Sequence, residues 1–153
     1  MPSLTLEEFS GQILEIMPVI MRELITKQQD ELLKGKITPA QFVILNFLSK
    51  KGESKMKNLA VLLNVTTAAM TGIVDKLFKS GYVKRVYDPK DRRVIKISLT
   101  NKGRDLTNKI NQQRKTMIIK IFSQLSRQER EDYLKILMRI RHILVQSDKN
   151  SAK

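Results

Sequence analysis

Lys90, Arg92 and Arg93 crowd one corner of the chain, and their types and spacing suit contact with a polyanion. They follow Pro89, a natural corner residue, and lie between two β-branched runs. The first run is Tyr82, Val83, Val86 and Tyr87; the second is Val94, Ile95, Ile97 and Leu99. That pattern predicts a β-hairpin with a longer loop. A guanidinium is planar, permanently charged and weakly hydrated. Two of them at a hairpin tip fit the narrow minor groove of DNA, whose negative potential draws inserted arginine. Taken alone, the same residues are accounted for equally well by a solvated charged turn. Asp91 is suited to pair with an arginine and hold the loop in shape, a structural role.

The residues before the hairpin favour the first reading. A helix that enters the major groove needs a thin, polar N-terminal face. Thr66, Thr67, Ala68 and Thr71 offer one: hydroxyls for phosphates or base edges, and methyl groups for thymine. Lys76 continues that helix. Its N-terminus also favours a phosphate through unpaired backbone donors and the helix dipole. Met70, Ile73, Val74 and Leu77 form the opposite, inward face. Small residues on a helix are also common packing residues, so position carries the weight here. Lys55, Lys57, Lys79 and Lys84 are candidates for phosphate contacts, which position a protein without reading sequence; a merely solvated lysine is the alternative at each.

The elements that must hold these residues follow from the apolar periodicity. Thr5 and Glu8 form a capping box before a helix with Phe9, Ile13, Ile16, Met17, Ile20, Leu24 and Ile25 on one stripe. Pro18 lies inside it and predicts a kink or break; Gly35 closes the segment. Thr38-Pro39 opens a second helix carrying Phe42, Leu45 and Leu48. A short helix runs from about Met56 to Leu63 with Leu59, Leu62 and Leu63 inward. Asn64 and Val65 turn the chain, Thr66 caps the recognition helix, and Ser80-Gly81 ends it. After the hairpin, Thr100 caps a long helix. Ser126 and Glu129 cap a last one with Tyr133, Leu134, Leu137, Met138, Ile140 and Leu144.

Composition narrows the function further. The 153 residues carry a formal net charge of +14, which favours an anionic partner. Residues 1–37 are net −2, residues 38–103 are net +9 (thirteen Lys/Arg against four Asp/Glu), and residues 104–153 are net +7. The positive charge is thus densest around the hairpin. There is no cysteine and one histidine, His142, so no disulfide, thiolate nucleophile or multi-histidine metal site is expected. No paired histidine and carboxylate, nucleophile arrangement or Gly-rich phosphate loop suggests an enzyme, and no cofactor is expected. The basic residues sit on a wing rather than along one amphipathic helix, which weakens a membrane-surface reading. No apolar run approaches the ~18–20 residues that span a bilayer. The N-terminus lacks the pattern of a secretion signal, and a cytoplasmic location is expected.

Leu59-Ala60, Val65-Thr66, Val74-Asp75-Lys76-Leu77, Gly81-Tyr82-Val83, Asp88 to Arg93, Ile97 to Thr100 and Gly103 together resemble the MarR family of transcriptional regulators. The resemblance covers nearly the whole chain. It implies an obligate homodimer, built by the first and last helices of both subunits, with a winged helix-turn-helix in each. It also implies that many members are repressors released by small amphipathic ligands bound between the DNA-binding lobe and the dimer helices. The lack of cysteine departs from the peroxide-sensing members, and the single histidine from the zinc-sensing ones. Apart from the resemblance, three long apolar-striped helices exceed what one small winged domain covers, which also points to an interface.

The expected fold is mainly α with a small β-wing: a dimerisation helix in residues 1–37, a winged helix-turn-helix in 38–100, and dimerisation helices in 101–153. The expected function is a homodimeric regulator, acting as a repressor, that binds double-stranded DNA at a pseudo-palindromic operator. The alternative is an architectural protein that coats DNA without an operator. The effector, the operator and the regulated genes are not legible in the residues.

Overall fold

The computed structural model describes residues 4–27, 37–89, 91 and 94–150, with side chains for all of these except 25–27 and 147–150. Along them run α1 (Leu6–Lys27), α2 (Pro39–Lys51), β1 (Glu53–Lys55), α3 (Met56–Leu63), α4 (Thr67–Lys79), β2 (Val83–Tyr87), β3 (Ile95–Leu99), α5 (Asn101–Phe122) and α6 (Arg127–Asn150). The chain divides into two compact units, residues 1–114 and 115–153. The fold is mainly helical with a three-stranded antiparallel sheet. Among the described residues, no single helix is long and apolar enough to cross a membrane.

Reciprocal caps start three of the helices. The Thr5 N–H donates to Glu8 Oε2 (2.9 Å) and the Glu8 N–H to Thr5 Oγ1 (3.2 Å). Thr38 and Gln41 exchange the same pair of bonds at 2.8 and 3.2 Å, with Pro39 at the first helical position. Ser126 and Glu129 do so at 2.7 and 3.3 Å. Each pair satisfies two backbone donors that a helix start leaves open. Hydrogen bonds from the Thr5 N–H and hydroxyl hold Glu8 below the usual carboxylate range, and Ser126 does the same for Glu129.

The core of the first unit joins Ile44, Leu45 and Leu48 of α2 to Leu59 and Ala60 of α3, to Met70, Val74 and Leu77 of α4, and to Val83, Ile97, Leu99 and Ile110. On α3, Leu62 was expected inward but is exposed. In so short a helix, Leu59, Ala60 and Leu63 make up the inward row, and Leu62 falls off it. Asn64 takes a left-handed conformation (φ 51°, ψ 48°), which asparagine tolerates, and so turns the chain between α3 and α4. Pro18 does not break α1, which runs continuously through it. The described residues up to Glu23 are all exposed, so water can reach the carbonyl of Leu14 that Pro18 leaves without a donor.

The sheet order is β1-β3-β2, with Val83 opposite Leu99, Arg85 opposite Ile97, Tyr87 opposite Ile95, and Ser54 opposite Ile97. Strand β1 was not anticipated. Its three residues, Glu-Ser-Lys, carry no apolar alternation, and the buried position is a serine.

The N-terminus of α5 pins the turn between α4 and β2. Thr100 Oγ1 donates to the Gly81 carbonyl (2.6 Å), the Thr100 N–H to the Tyr82 carbonyl (3.1 Å), and Lys102 Nζ to the Ser80 carbonyl (2.9 Å). Gly81 takes a φ of +74°, which favours glycine. A Cβ on Gly103 would overlap the Tyr82 carbonyl, whereas one on Gly72 in α4 would meet nothing within 4 Å.

In the second unit, Arg130 Nη1 donates to the Leu125 and Phe122 carbonyls (2.6 and 3.2 Å), and the rings of Phe122 and Tyr133 lie 5.3 Å apart. Along α6 every described residue from Arg127 to Gln146 is exposed, large apolar ones included.

The two glycines predict opposite shifts in urea denaturation. Gly103→Ala should cost about 1–3 kcal/mol, the usual penalty of overpacking. Gly72→Ala should add roughly 0.5–1 kcal/mol by stiffening the helix. Equal effects would contradict the close approach of α5 to the turn.

Candidate nucleic-acid interface

Helix α4 buries Met70, Val74 and Leu77, half-buries Ile73, and turns its other side outward. Ala68, Gly72 and Lys76, at four-residue spacing, share that outward side. Gly72, which residue type alone does not mark as part of this face, extends it by a turn. Thr66, Thr67 and Ala68 are exposed at the N-terminus. Thr66 Oγ1 accepts the Ala69 N–H (3.2 Å), so this hydroxyl caps the helix. Thr71 is half-buried, and its hydroxyl donates to the Thr67 carbonyl (2.9 Å). The Thr71 hydroxyl is thus committed to its own helix, whereas Thr67 stands exposed.

The lysine candidates Lys55, Lys57, Lys76, Lys79 and Lys84 are all exposed but not all together. Lys76 and Lys79 lie on the C-terminal half of α4. Lys57 lies in the first turn of α3. Lys55 was placed at the helix start; it ends β1 and is also the residue before α3. By register, Lys55 and Lys84 share a sheet face with Lys96, opposite to the face that carries Arg85. Lys90, Arg92 and Arg93 lie outside the described residues, as does the expected pairing of Asp91 with an arginine. Asp91 itself is exposed, and its carbonyl accepts the Val94 N–H (2.9 Å).

Three ion pairs at the base of the wing, two of them on Lys96, are not legible in the sequence. Lys96 Nζ lies 2.8 Å from Asp88 Oδ2 and 3.8 Å from Glu53 Oε2, joining β1, β3 and the start of the loop. The Asp88 N–H also donates to the Val94 carbonyl (2.9 Å). Arg85 Nη2 donates to Asp75 Oδ1 (2.7 Å), and its guanidinium lies 5.2 Å from the centroid of the Phe78 ring. A signal existed in each case, an acid and a base on neighbouring elements. Their pairing depends on strand register and on the α4–β2 turn, which sequence spacing does not reveal. Among the described residues, no group of three or more His, Cys, Asp or Glu could hold a metal ion.

A capped helix with a thin outward face, preceded by a short helix and followed by a basic hairpin, is a winged helix-turn-helix. Residues 37–95 match the model of the MarR family. The chain is 31% identical over 124 residues to the transcriptional repressor MdtR of Bacillus subtilis, covering 78% of this chain and 80% of that one. Among solved structures it is similar to the transcriptional regulator Tm0710 of Thermotoga maritima (30% identity, TM-score 0.64, 94% of this chain and 99% of that one). A MarR family protein from Bacillus stearothermophilus shares the fold at 22% identity (TM-score 0.82, 93% and 99%). The chain belongs to the MarR family. It is a DNA-binding transcriptional regulator and not an enzyme.

The Lys96 hub predicts an alkaline signature. Its hydrogen bond to Asp88, and then the attraction of that carboxylate, raise the Lys96 ammonium above the usual lysine range. A raised folded value means that the stabilisation is fully present below about pH 10.4, the ordinary lysine value, and is lost as pH climbs through the folded one. The stability difference between wild type and Lys96→Met should therefore be largest below that pH and shrink above it. Denaturation at stepped pH reads this, and a constant difference would contradict the hub.

Proposed function

We propose that this chain is a homodimeric, sequence-specific repressor that binds a pseudo-palindromic operator and is released by a small amphipathic ligand. The observation that carries the reading is the thin outward face of α4 beside the wing, in a segment of net charge +9. In this reading Thr67, Ala68, Thr71 and Lys76 approach base edges in the major groove, with Thr66 capping the helix. Arg92 and Arg93, with Lys90, enter the adjoining minor groove. Lys55, Lys57, Lys79 and Lys84 meet phosphates.

A second copy is supported by apolar surface that a monomer rarely leaves open. Helix α1 exposes Phe9, Ile13, Ile16 and Ile20, and α6 exposes Leu137, Ile140 and Leu144. A two-fold dimer places recognition helices about one DNA turn apart. The relative in Bacillus subtilis is by name a repressor. For the ligand, the first unit offers a mixed polar and aromatic cluster between α2 and α5. Asn111 Nδ2 donates to Asn46 Oδ1 (3.0 Å), and Arg114 lies over the Phe42 ring at 5.2 Å.

Footprinting on the DNA upstream of the protein's own gene, with random competitor present, tests the operator. The expected result is a protected pseudo-palindrome that survives the competitor; binding that competitor erases favours the architectural alternative. Arg92→Ala with Arg93→Ala should weaken that complex strongly while sedimentation still reports a dimer. Loss of the dimer would contradict the wing assignment. If roughly 6–10 phosphates are neutralised, affinity should fall by about 10³–10⁵ between 50 and 200 mM salt, and a flat response would overturn a phosphate-dominated interface.

A further inference from the structure

We infer that Arg85 is a phosphate clamp between the recognition helix and the wing, with Asp75 and Phe78 as its positioning residues. The inference rests on the DNA-binding reading and adds a contact that the sequence did not suggest. Arg85 has five N–H donors in a fixed fork. Among the described residues its side chain has one hydrogen-bond partner, Asp75. The ion pair is not sealed away, since both side chains are 42% exposed. The guanidinium is nevertheless held, by the Asp75 carboxylate at 2.7 Å and by its place over the Phe78 ring, 5.2 Å from the centroid. Among the described residues its remaining donors meet no acceptor, which leaves them to one from solvent.

The location gives that acceptor a chemistry. Arg85, Tyr87 and Ile95 share one face of the sheet, the face whose Arg85 reaches α4. Phe78, Tyr87 and Ile95 are all exposed, so an open strip leads from α4 along the hairpin toward the wing. When a helix occupies a major groove and a wing the next minor groove, one sugar–phosphate strand must pass between them. Arg85 stands in that passage. A planar fork fixed in place matches phosphate geometry better than a mobile ammonium. A purely structural tether explains the arrangement less well, because exposed ion pairs of this kind contribute little to stability.

The test is a salt titration of full-length protein on a random-sequence duplex, read by fluorescence anisotropy, with circular dichroism confirming that each variant is folded. A phosphate contact is sequence-independent, so no operator is needed. Arg85→Gln should weaken binding about ten-fold or more, in line with losing a hydrogen bond to a charged group. It should also reduce the steepness of log K against log salt by about 0.9 per protomer. Arg85→Lys keeps the charge and should restore the slope while recovering part of the affinity. Removing an acid from a DNA-facing surface would by charge alone tighten binding, so Asp75→Asn distinguishes positioning from charge. The clamp predicts weaker binding with the slope retained. An unchanged slope in Arg85→Gln, or tighter binding by Asp75→Asn, would overturn the proposal. Wild-type protein that binds no duplex at moderate salt would overturn the DNA-binding reading itself.

Discussion

The turn of Ser80, Gly81 and Tyr82 is the constraint on which the DNA-binding lobe depends. Three consecutive carbonyls there accept bonds from Lys102, Thr100 Oγ1 and the Thr100 N–H, all at the start of α5. Gly103 lets the α5 backbone come this close, because any side chain would strike the Tyr82 carbonyl. The same three residues join the end of α4 to the start of β2. Fixing them fixes the angle at which the recognition helix meets the hairpin. The outward face of α4, from Thr67 onward, and the base of the wing are held in register by this junction.

The wing is then built outward by paired charges rather than by apolar packing. Val83, Ile97 and Leu99 are buried near the turn, but Tyr87 and Ile95 are exposed two register steps farther out. Beyond the reach of the core, Lys96 gathers Asp88 and Glu53, and Arg85 engages Asp75 and Phe78. Such contacts are weak singly, yet they use side chains whose unspent donors suit an anionic surface. A hairpin stiffened in this way can extend past the core and still carry positive charge to its end.

Much of this was legible in the residues. The capping boxes of Thr5 and Ser126 sit where the sequence places them and Thr38 caps its helix as expected, because a cap is a local interaction between residues three apart; the return bond from the Thr38 N–H to Gln41 was not anticipated. The helix pair and hairpin followed from periodicity and from turn residues such as Asn64, Gly81 and Pro89. What escaped was non-local. Strand β1 exists because β3 offers it an edge, and nothing in Glu-Ser-Lys announces that. The Asp75–Arg85 pair spans ten residues and a turn. Leu62 looked inward because leucines usually are, but on so short a helix a single row is covered. Pro18 predicts a kink or a break, and α1 runs on through it because one missing donor on an exposed helix is tolerated. Among the candidate site residues, Thr66 and Thr71 show that residue type alone does not reveal whether a hydroxyl is already committed to its own helix.

The central claim is that α4 and the wing read sequence and do not merely bind charge. The most direct measurement is the ratio of affinities for the footprinted upstream fragment and for random duplex, determined by competition at physiological salt. The account predicts a ratio of about 10³ or more, the usual range for a sequence-specific regulator. A ratio near unity would contradict it and identify a protein that binds DNA through its phosphates alone.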